Sequence, residues 1–415
     1  MALSQVNIIK QTGGLGFAQL NADAVSGLVM PGVATANLTI NTVVEIYSAR
    51  QLANQYLIDA DYDDTNSLLV YHHVSEFFRL APGAKLWLML VPVGTTMENI
   101  ADPDNNFAKK LLREANGEIF QLAIAGGGAL GTLGAGLEAD VLAAIPKAQE
   151  LCDSEFSEYR YNIVLLEGRG YNGTATNATD LRTLNARDVS VVIGQDKDVA
   201  ALKANYVGYA AIGTALGTVA AAQVHQSIAH VGSFLLSGFD AETPRFLNPA
   251  ISNNTLVTAF TAADLNTLND KGYIFCRTFA GYPGVYWNNS PSCIVITDDY
   301  RTIELSRTMY KAIRIVRETL LPHLNGPLLP DEVTGRLDIK QKKMFEAQVK
   351  GAIEAQMRNN IAEVKKVLVD PASNEDGVPY PPILNDNTLR CIVAIIPYGK
   401  AEQIIVTIGY TNPSA

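Results

Sequence analysis

The sequence predicts an α/β protein, and three observations lead there. Four nearly uninterrupted apolar runs, KLWLMLVPVG (85–94), EIFQLAIA (118–125), YNIVLLEG (161–168) and VSVVIGQD (189–196), have the character of strands covered on both faces. Stretches of helical periodicity separate them, as in a layered sheet-and-helix architecture. A chain of 415 residues, 48% hydrophobic and 18% charged, is an ordered one with room for two or three buried cores.

Taken in order, SQVNIIKQ (4–11) has the composition of a short strand, and the TGGLG that follows gives it a glycine hinge. Residues 68–80 (LLVYHHVSEFFRL) predict a helix ended by Pro82 and Gly83. Helices near 104–115 and 137–152 precede the second and third strands. The fourth leads into a long helix from about 198. Within it GYAAIGTALGTVAAAQV (208–224) is too short to span a bilayer securely; Gly213 and Gly217 there permit close packing at a modest cost in propensity. Residues 240–262 are loop-rich. From 264 a short helix (ADLNTLNDKG) precedes the strands YIFCRTFAG and CIVITDD, and a helix over 301–320 is stopped by Pro322, Gly326, Pro327 and Pro330. Phe345, Val349, Ile353, Met357, Ile361, Val364 and Leu368, three and four apart, predict a second long helix over 338–368. CIVAIIPYG and AEQIIVTIGYT close the chain as strands, the last alternating Ile404, Val406, Ile408 and Tyr410.

The formal net charge of −10 is uneven: residues 301–415 hold 15 Lys+Arg against 13 Asp+Glu, residues 1–300 hold 17 against 29. An acidic majority argues against a nucleic-acid binder. Cys152, Cys276, Cys293 and Cys391 lie far apart, without CxxC or zinc spacing, and fit buried free thiols of a reducing compartment. MALSQVNIIKQ has no basic region followed by an apolar core, so no secretion signal is expected.

GGGALG (126–131) is a formal GxGxxG after an apolar strand. It offers two readings, a dinucleotide site or a flexible loop. Its context favours the loop, because Gly134 and Gly136 fall where a helix should propagate and Glu150, about 20 positions on, sits in a helical stretch. No GxxxxGK[ST], GxSxG or HExxH motif is present. His72 and His73 diverge on a helix, His225 and His230 are five apart, and His323 stands alone, so no metal ligand set is expected. Asp298 and Asp299 fit an acidic turn before the 301–320 helix better than a catalytic pair. No catalytic, cofactor-binding or metal-binding residues are assigned. On the 301–320 helix, Arg307, Lys311 and Arg314 fall within roughly 60° of one another. Leu305, Met309, Ala312, Ile313, Val316 and Leu320 lie opposite, so the basic row is expected to face away from the core, as a solvated face or a docking surface.

These residues resemble the contractile tail sheath family of phage tails, tailocins and type VI-like injection systems. The resemblance is carried by LNDKGYIFCRTFAG (268–281) ahead of YWNNS (286–290), by RTIELSRTMYKAIRIVRETL (301–320), and by LNDNTLRCIVAIIPYGKAEQIIVTIGYT (384–411). HVSEFFRLAPGAKLWLMLVPVG (73–94) adds an upstream echo. Together they cover about half the chain. Proline-rich "PPS" and "APAN" passages of many phage sheaths are absent, which marks a divergent branch.

The resemblance implies a discontinuous inner α/β domain with extended N- and C-terminal β-arms plus an outer α/β domain. The expected divisions are 1–30 (arm and start of the inner domain), 31–263 (outer), 264–400 (inner, tube-facing) and 401–415 (C-terminal arm). It implies a homo-oligomeric sleeve around an inner tube protein, with baseplate and terminator proteins as further partners. No cofactor, nucleic acid or membrane insertion is expected, and the setting would be a virion tail or an apparatus assembled in the bacterial cytoplasm. Val6, Ile8, Ile404, Val406 and Ile408 would set register where arms join neighbours' sheets; pairing within one subunit is the alternative. Arg307, Lys311 and Arg314 would touch the tube, and reversing their charges should leave the monomer folded. Two rival functions are a nucleotide-dependent enzyme using residues 126–131 and a non-contractile virion structural protein such as a capsid or tube component.

Overall fold

The computed structural model describes residues 22–240, 242–374, 376–406 and 408. The strand expected at 4–11, with Val6 and Ile8, lies outside the described residues. The chain divides into two compact units, Met1–Lys311 and Ala312–Ala415.

The first unit opens with β1 (Ser26–Gly32), β2 (Val43–Ile46), α1 (Ala49–Tyr56), α2 (Ala60–Asn66), α3 (Val70–Leu80) and β3 (Leu86–Pro92). Then come α4 (Met97–Ala101), α5 (Ala108–Glu114), β4 (Gln121–Ile124), α6 (Ala139–Ser157), β5 (Ile163–Glu167) and β6 (Val189–Val192). β7 (Gly194–Asp196), α7 (Lys197–Ala200), α8 (Ile212–Ala221), β8 (Gly238–Asp240), β9 (Thr243–Arg245), β10 (Pro249–Ile251) and β11 (Thr255–Leu256) follow. α9 (Ala262–Asp270), β12 (Tyr273–Ile274), β13 (Cys276–Phe279) and β14 (Tyr282–Trp287) complete it before the shared helix α10 (Ile303–Leu320).

Seven strands pair in the order β12-β6-β5-β4-β1-β3-β2, all parallel except β2, which is antiparallel to β3. β1, β4, β5 and β6 are buried along their whole length. That burial is why these strands lack a polar face to alternate with. α3 and α8 approach closely because α8 carries glycine at the crossing: a Cβ at Gly217 would lie 2.8 Å from the Phe77 carbonyl oxygen, and one at Gly213 would overlap the His73 backbone.

Helices expected at 68–80, 104–115 and 137–152 appear as α3, α5 and α6, and the four apolar runs as β3, β4, β5 and the β6–β7 stretch. Several expectations change. The long helix from 198 is two short ones, because the buried side chains of Gln195 and Glu167 hold the intervening main chain open. Gln195 Nε2 donates to the Val207 and Tyr209 carbonyls (2.9 and 2.7 Å), and the Ala210 N–H donates to Glu167 (2.9 Å). Residues 240–262 contain short strands as well as loops. CIVITDD forms only an isolated bridge, Ala186 to Cys293, before a turn. The inner and outer divisions expected at 30 and 263 do not match the packing: Ser26–Gly32 lies between β3 and β4 in the large sheet, and Tyr273–Ile274 extends that sheet at β6. The observed division falls at Lys311.

The second unit takes α10 from Ala312 on, then α11 (Ile339–Met357), β15 (Ile361–Val369), α12 (Ile383–Asp386) and β16 (Cys391–Pro397). One core gathers Ala312, Ile315, Val349, Ile353, Met357, Ile361 and Val364; a smaller one gathers Leu337, Phe345, Val369 and Ile383. The helix expected over 338–368 ends at Met357, and its last third is strand β15. Register shifts between Ile361 and Glu363 and between Val364 and Lys366 each insert a residue. They bring residues three apart onto the buried face, which copies helical spacing.

Candidate assembly site

β15 and β16 pair antiparallel, from Ile361 opposite Pro397 to Val369 opposite Cys391. Among the described residues the sheet stops at these two strands. One side is covered by α11 and the core around Val349 and Ile353; both outer edges lack a ladder partner among the described residues. A two-stranded ribbon is marginal alone, and an open edge invites another strand.

Beyond β16 the chain leaves the sheet. Ile404, Ile405, Val406 and Ile408 are 80%, 81%, 69% and 89% exposed, and none lies in a ladder. The final strand expected from the sequence is therefore not paired within this chain at the described residues. Apolar side chains in a row at this exposure forgo about 1.5–3 kcal/mol each of possible burial. In alternation, Ile404, Val406 and Ile408 would share one face of a strand.

The basic row on α10 is not an outward ridge. Arg307 is 4% exposed. Its Nη1 donates to the carbonyls of Ala222 and Gln223 (3.1 and 3.5 Å) and its Nη2 to that of Asp23 (3.1 Å). Lys311 binds the Asp23 carboxylate at 2.5 Å, and Arg314 is half-buried. The reason lies in α8. Its C-terminal end presents carbonyls with no intrahelical donor, and a cation placed there satisfies them and the helix dipole together. Thr308 adds a bond to the Val224 carbonyl (3.3 Å). The buried side of the first half of α10 thus includes Ser306, Arg307 and Tyr310, while Leu305 and Met309 are half-buried.

The glycine loop follows β4, beside β1, whose neighbours β3 and β4 follow it in opposite directions across the sheet. Open α/β sheets bind ligands in such a crevice. Here the chain fills it. The Gly126 N–H donates to Glu167 (2.7 Å) and the Gly131 N–H to Glu138 (2.5 Å), while Arg169 donates to the Gly127 and Gly128 carbonyls (3.2 and 2.6 Å). A Cβ at Gly126 would sit 2.6 Å from Arg169 Cδ. Two amides that a pyrophosphate would need already hold carboxylates. Burial pushes the Glu167 carboxyl up to about 7, against the opposing pull of Arg169.

His72 and His73 are buried on α3 beside Tyr209. Burial drives His72 down to about 3 and His73 well below its usual range. The Gly213 N–H points at His73 Nδ1 (3.4 Å), so the ring accepts there. A lowered imidazole pKa means stability that is present above pH 6.5 and lost as the pH falls from 6.5 toward 3. Glu167 and Asp63, both raised to about 7 by burial, act in the opposite sense: their stability is present below about pH 4 and lost as the pH rises through 7. Comparing the parent with His72→Gln cancels those carboxyls. Between pH 7 and 5 the parent is expected to lose about 2 kcal/mol more than the variant, read from urea unfolding at each pH. Parallel curves would contradict the neutral burial of His72. Asp298 accepts from the Tyr300 N–H (2.7 Å) as a turn residue. Among the described residues no group of three or more His, Cys, Asp or Glu could hold a metal. The cysteines are free, with Cys152, Cys276 and Cys293 buried and Cys391 partly so.

Sequence reasoning missed Asp23 and Gln121, which meet α10 and β1 at the root of the sheet. Neither belongs to a motif.

The fold defined by this parallel sheet and the smaller strand-pair unit is shared with contractile-sheath proteins. The helical sheath of the anti-feeding prophage in its contracted state matches over 99% of this chain and 100% of its own, with a TM-score of 0.63 at 15% identity. A contracted sheath complex of an extracellular contractile injection system, PVC, matches over 100% and 99%, with a TM-score of 0.58 at 10% identity. A sheath tail protein from Desulfitobacterium hafniense matches over 95% and 100%, with a TM-score of 0.51 at 10% identity. Residues 3–291 match the model of the DUF2586 N-terminal domain and residues 299–415 that of the DUF2586 C-terminal domain. The chain belongs to the DUF2586 family. No curated protein matches it significantly.

Proposed function

We propose that the chain is the structural subunit of a contractile sheath, polymerising around an inner tube by exchanging terminal strands between copies. The observation that carries this reading is the exposed apolar run Ile404–Val406 with Ile408, beside a two-stranded sheet whose edges are open among the described residues. The end-to-end likeness to sheath folds supports it. In this reading, segment 403–408 of one copy adds to the β15–β16 sheet of another. Main-chain bonds supply affinity, and Ile404, Val406 and Ile408 fix the register. The N-terminal residues 4–11, with Val6 and Ile8, supply a second donated strand. Contraction then changes the packing between copies while the exchanged strands keep them linked, and no nucleotide is consumed. The filled crevice at Gly126–Gly131 speaks against the enzyme alternative. Among the described residues no helix is long and apolar enough to cross a membrane. In this reading the further partners are a tube and a baseplate.

Changing Ile404, Val406 and Ile408 together to Asp should leave the thermal midpoint of the monomer where it is, since these side chains are exposed. Electron microscopy of the concentrated variant should show no hollow cylinders where the parent forms them. Cylinders from the variant would remove the C-terminal segment from the assembly mechanism.

A further inference from the structure

The root of the N-terminal segment is held by a cluster of side chains from α10 and β4. Asp23 lies in a short 3-10 turn, Ala22–Ala24, just before β1. Its carbonyl accepts from Arg307 Nη2 (3.1 Å) and from Gln121 Nε2 (3.1 Å), and its carboxylate from Lys311 Nζ (2.5 Å). Gln121 also donates to Ser26 Oγ (3.0 Å), which donates to the Ala24 carbonyl (3.0 Å). Arg307 and Lys311 stand one turn apart on a helix of 18 residues. Arg307 is tied in turn to the end of α8 through Ala222 and Gln223.

We propose that Asp23, Arg307 and Lys311 form an anchor that passes tension on the N-terminal segment into α10 and α8 before it reaches β1. The inference rests on the reading of that segment as an arm joined to a neighbouring copy. The ladder of β1 begins at Ser26, paired with Leu86 and Gln121. Tension arriving along the chain from residue 21 would otherwise fall on that first pair, and strands loaded at one end open pair by pair. Asp23 lies upstream of it and is held at two points, main chain and side chain, by adjacent turns of one helix. Bonds loaded together share the force. The Lys311 and Asp23 side chains are 18% and 13% exposed, and a charge-assisted bond so sheltered outweighs a surface ion pair. The same contacts account for two cations of the basic row: they face the arm's root.

The test uses polymers of the full chain with Lys311→Met, Asp23→Asn, or the exchanged pair Asp23→Lys with Lys311→Asp. Arg307 is left in place, because its loss threatens the fold. Single polymers are pulled in optical tweezers, and amide exchange is followed at residues 24–26 in the unassembled chain. Both single variants should still form polymers, but these should break at about half the parent's force, and exchange should speed by about tenfold. The exchanged pair should recover much of both. Unchanged rupture force overturns the anchor, even if exchange accelerates, since that would be a local stabilising contact alone. If the parent itself forms no polymers, the arm reading fails first and the anchor's role falls with it.

Discussion

Gly213→Val should destabilise the first unit by about 3 kcal/mol or more, lowering its melting temperature by roughly 5–10 °C in calorimetry. The Cβ would press on the carbonyl oxygen, Cα and carbonyl carbon of His73, which belong to the backbone of α3 and cannot rotate aside. Relief requires α3 and α8 to separate, and α8 is buried along nearly its whole length. The glycines that looked like a weakness of helix propensity are therefore the condition for the crossing. A control of opposite sign lies in the second unit. Gly351 sits on α11 with nothing within 4 Å of a would-be Cβ, so Gly351→Ala is expected to stabilise by about 0.5–1 kcal/mol. Equal effects at the two positions would refute the close-approach account.

Arg307→Glu should cost about 3–5 kcal/mol. It deprives the carbonyls of Asp23 and Ala222 of their guanidinium donor and sets a buried carboxylate against the negative end of α8. Lys311→Met, which leaves one partly buried carboxylate of Asp23 without this cation, should cost about 1 kcal/mol. Urea unfolding measures both. This changes what a charge-reversal experiment on the row can mean. From the sequence alone, reversing Arg307, Lys311 and Arg314 is expected to leave a folded monomer; with Arg307 buried, failure to assemble in that triple variant would report unfolding. Equal midpoints for Arg307→Glu and the parent would show that the guanidinium does not cap α8.

What was legible in the sequence follows from burial. β3, β4, β5 and β6 are covered on both faces, so their apolar runs could hardly be anything else once flanked by helices. β1 was not legible: SGLVMPG carries Gly27, Gly32 and a proline, and looks like a loop. Its centre position explains the composition, since a Cβ at Gly27 would crowd Leu111 and Leu122 (2.9 and 3.0 Å). β15 was misread because two bulges space its buried side chains like those of a helix; its Ile361, Val364, Val367 and Val369 carried the β-branched signal against that reading. The helical face of Arg307, Lys311 and Arg314 was legible as a row, but not its surroundings. Nothing near residue 307 announces that the carbonyl end of α8, 85 residues earlier, will meet it. The alternation of Ile404, Val406 and Ile408 is plain in the sequence, and these side chains are exposed.

Helical reconstruction of polymers grown from the purified full-length chain tests strand exchange most directly. The account predicts residues 403–408 of one copy hydrogen-bonded along an edge of the β15–β16 sheet of another, with Ile404, Val406 and Ile408 on its covered face. Density that returns this segment to the sheet of its own chain, with neighbouring copies joined elsewhere, would contradict it.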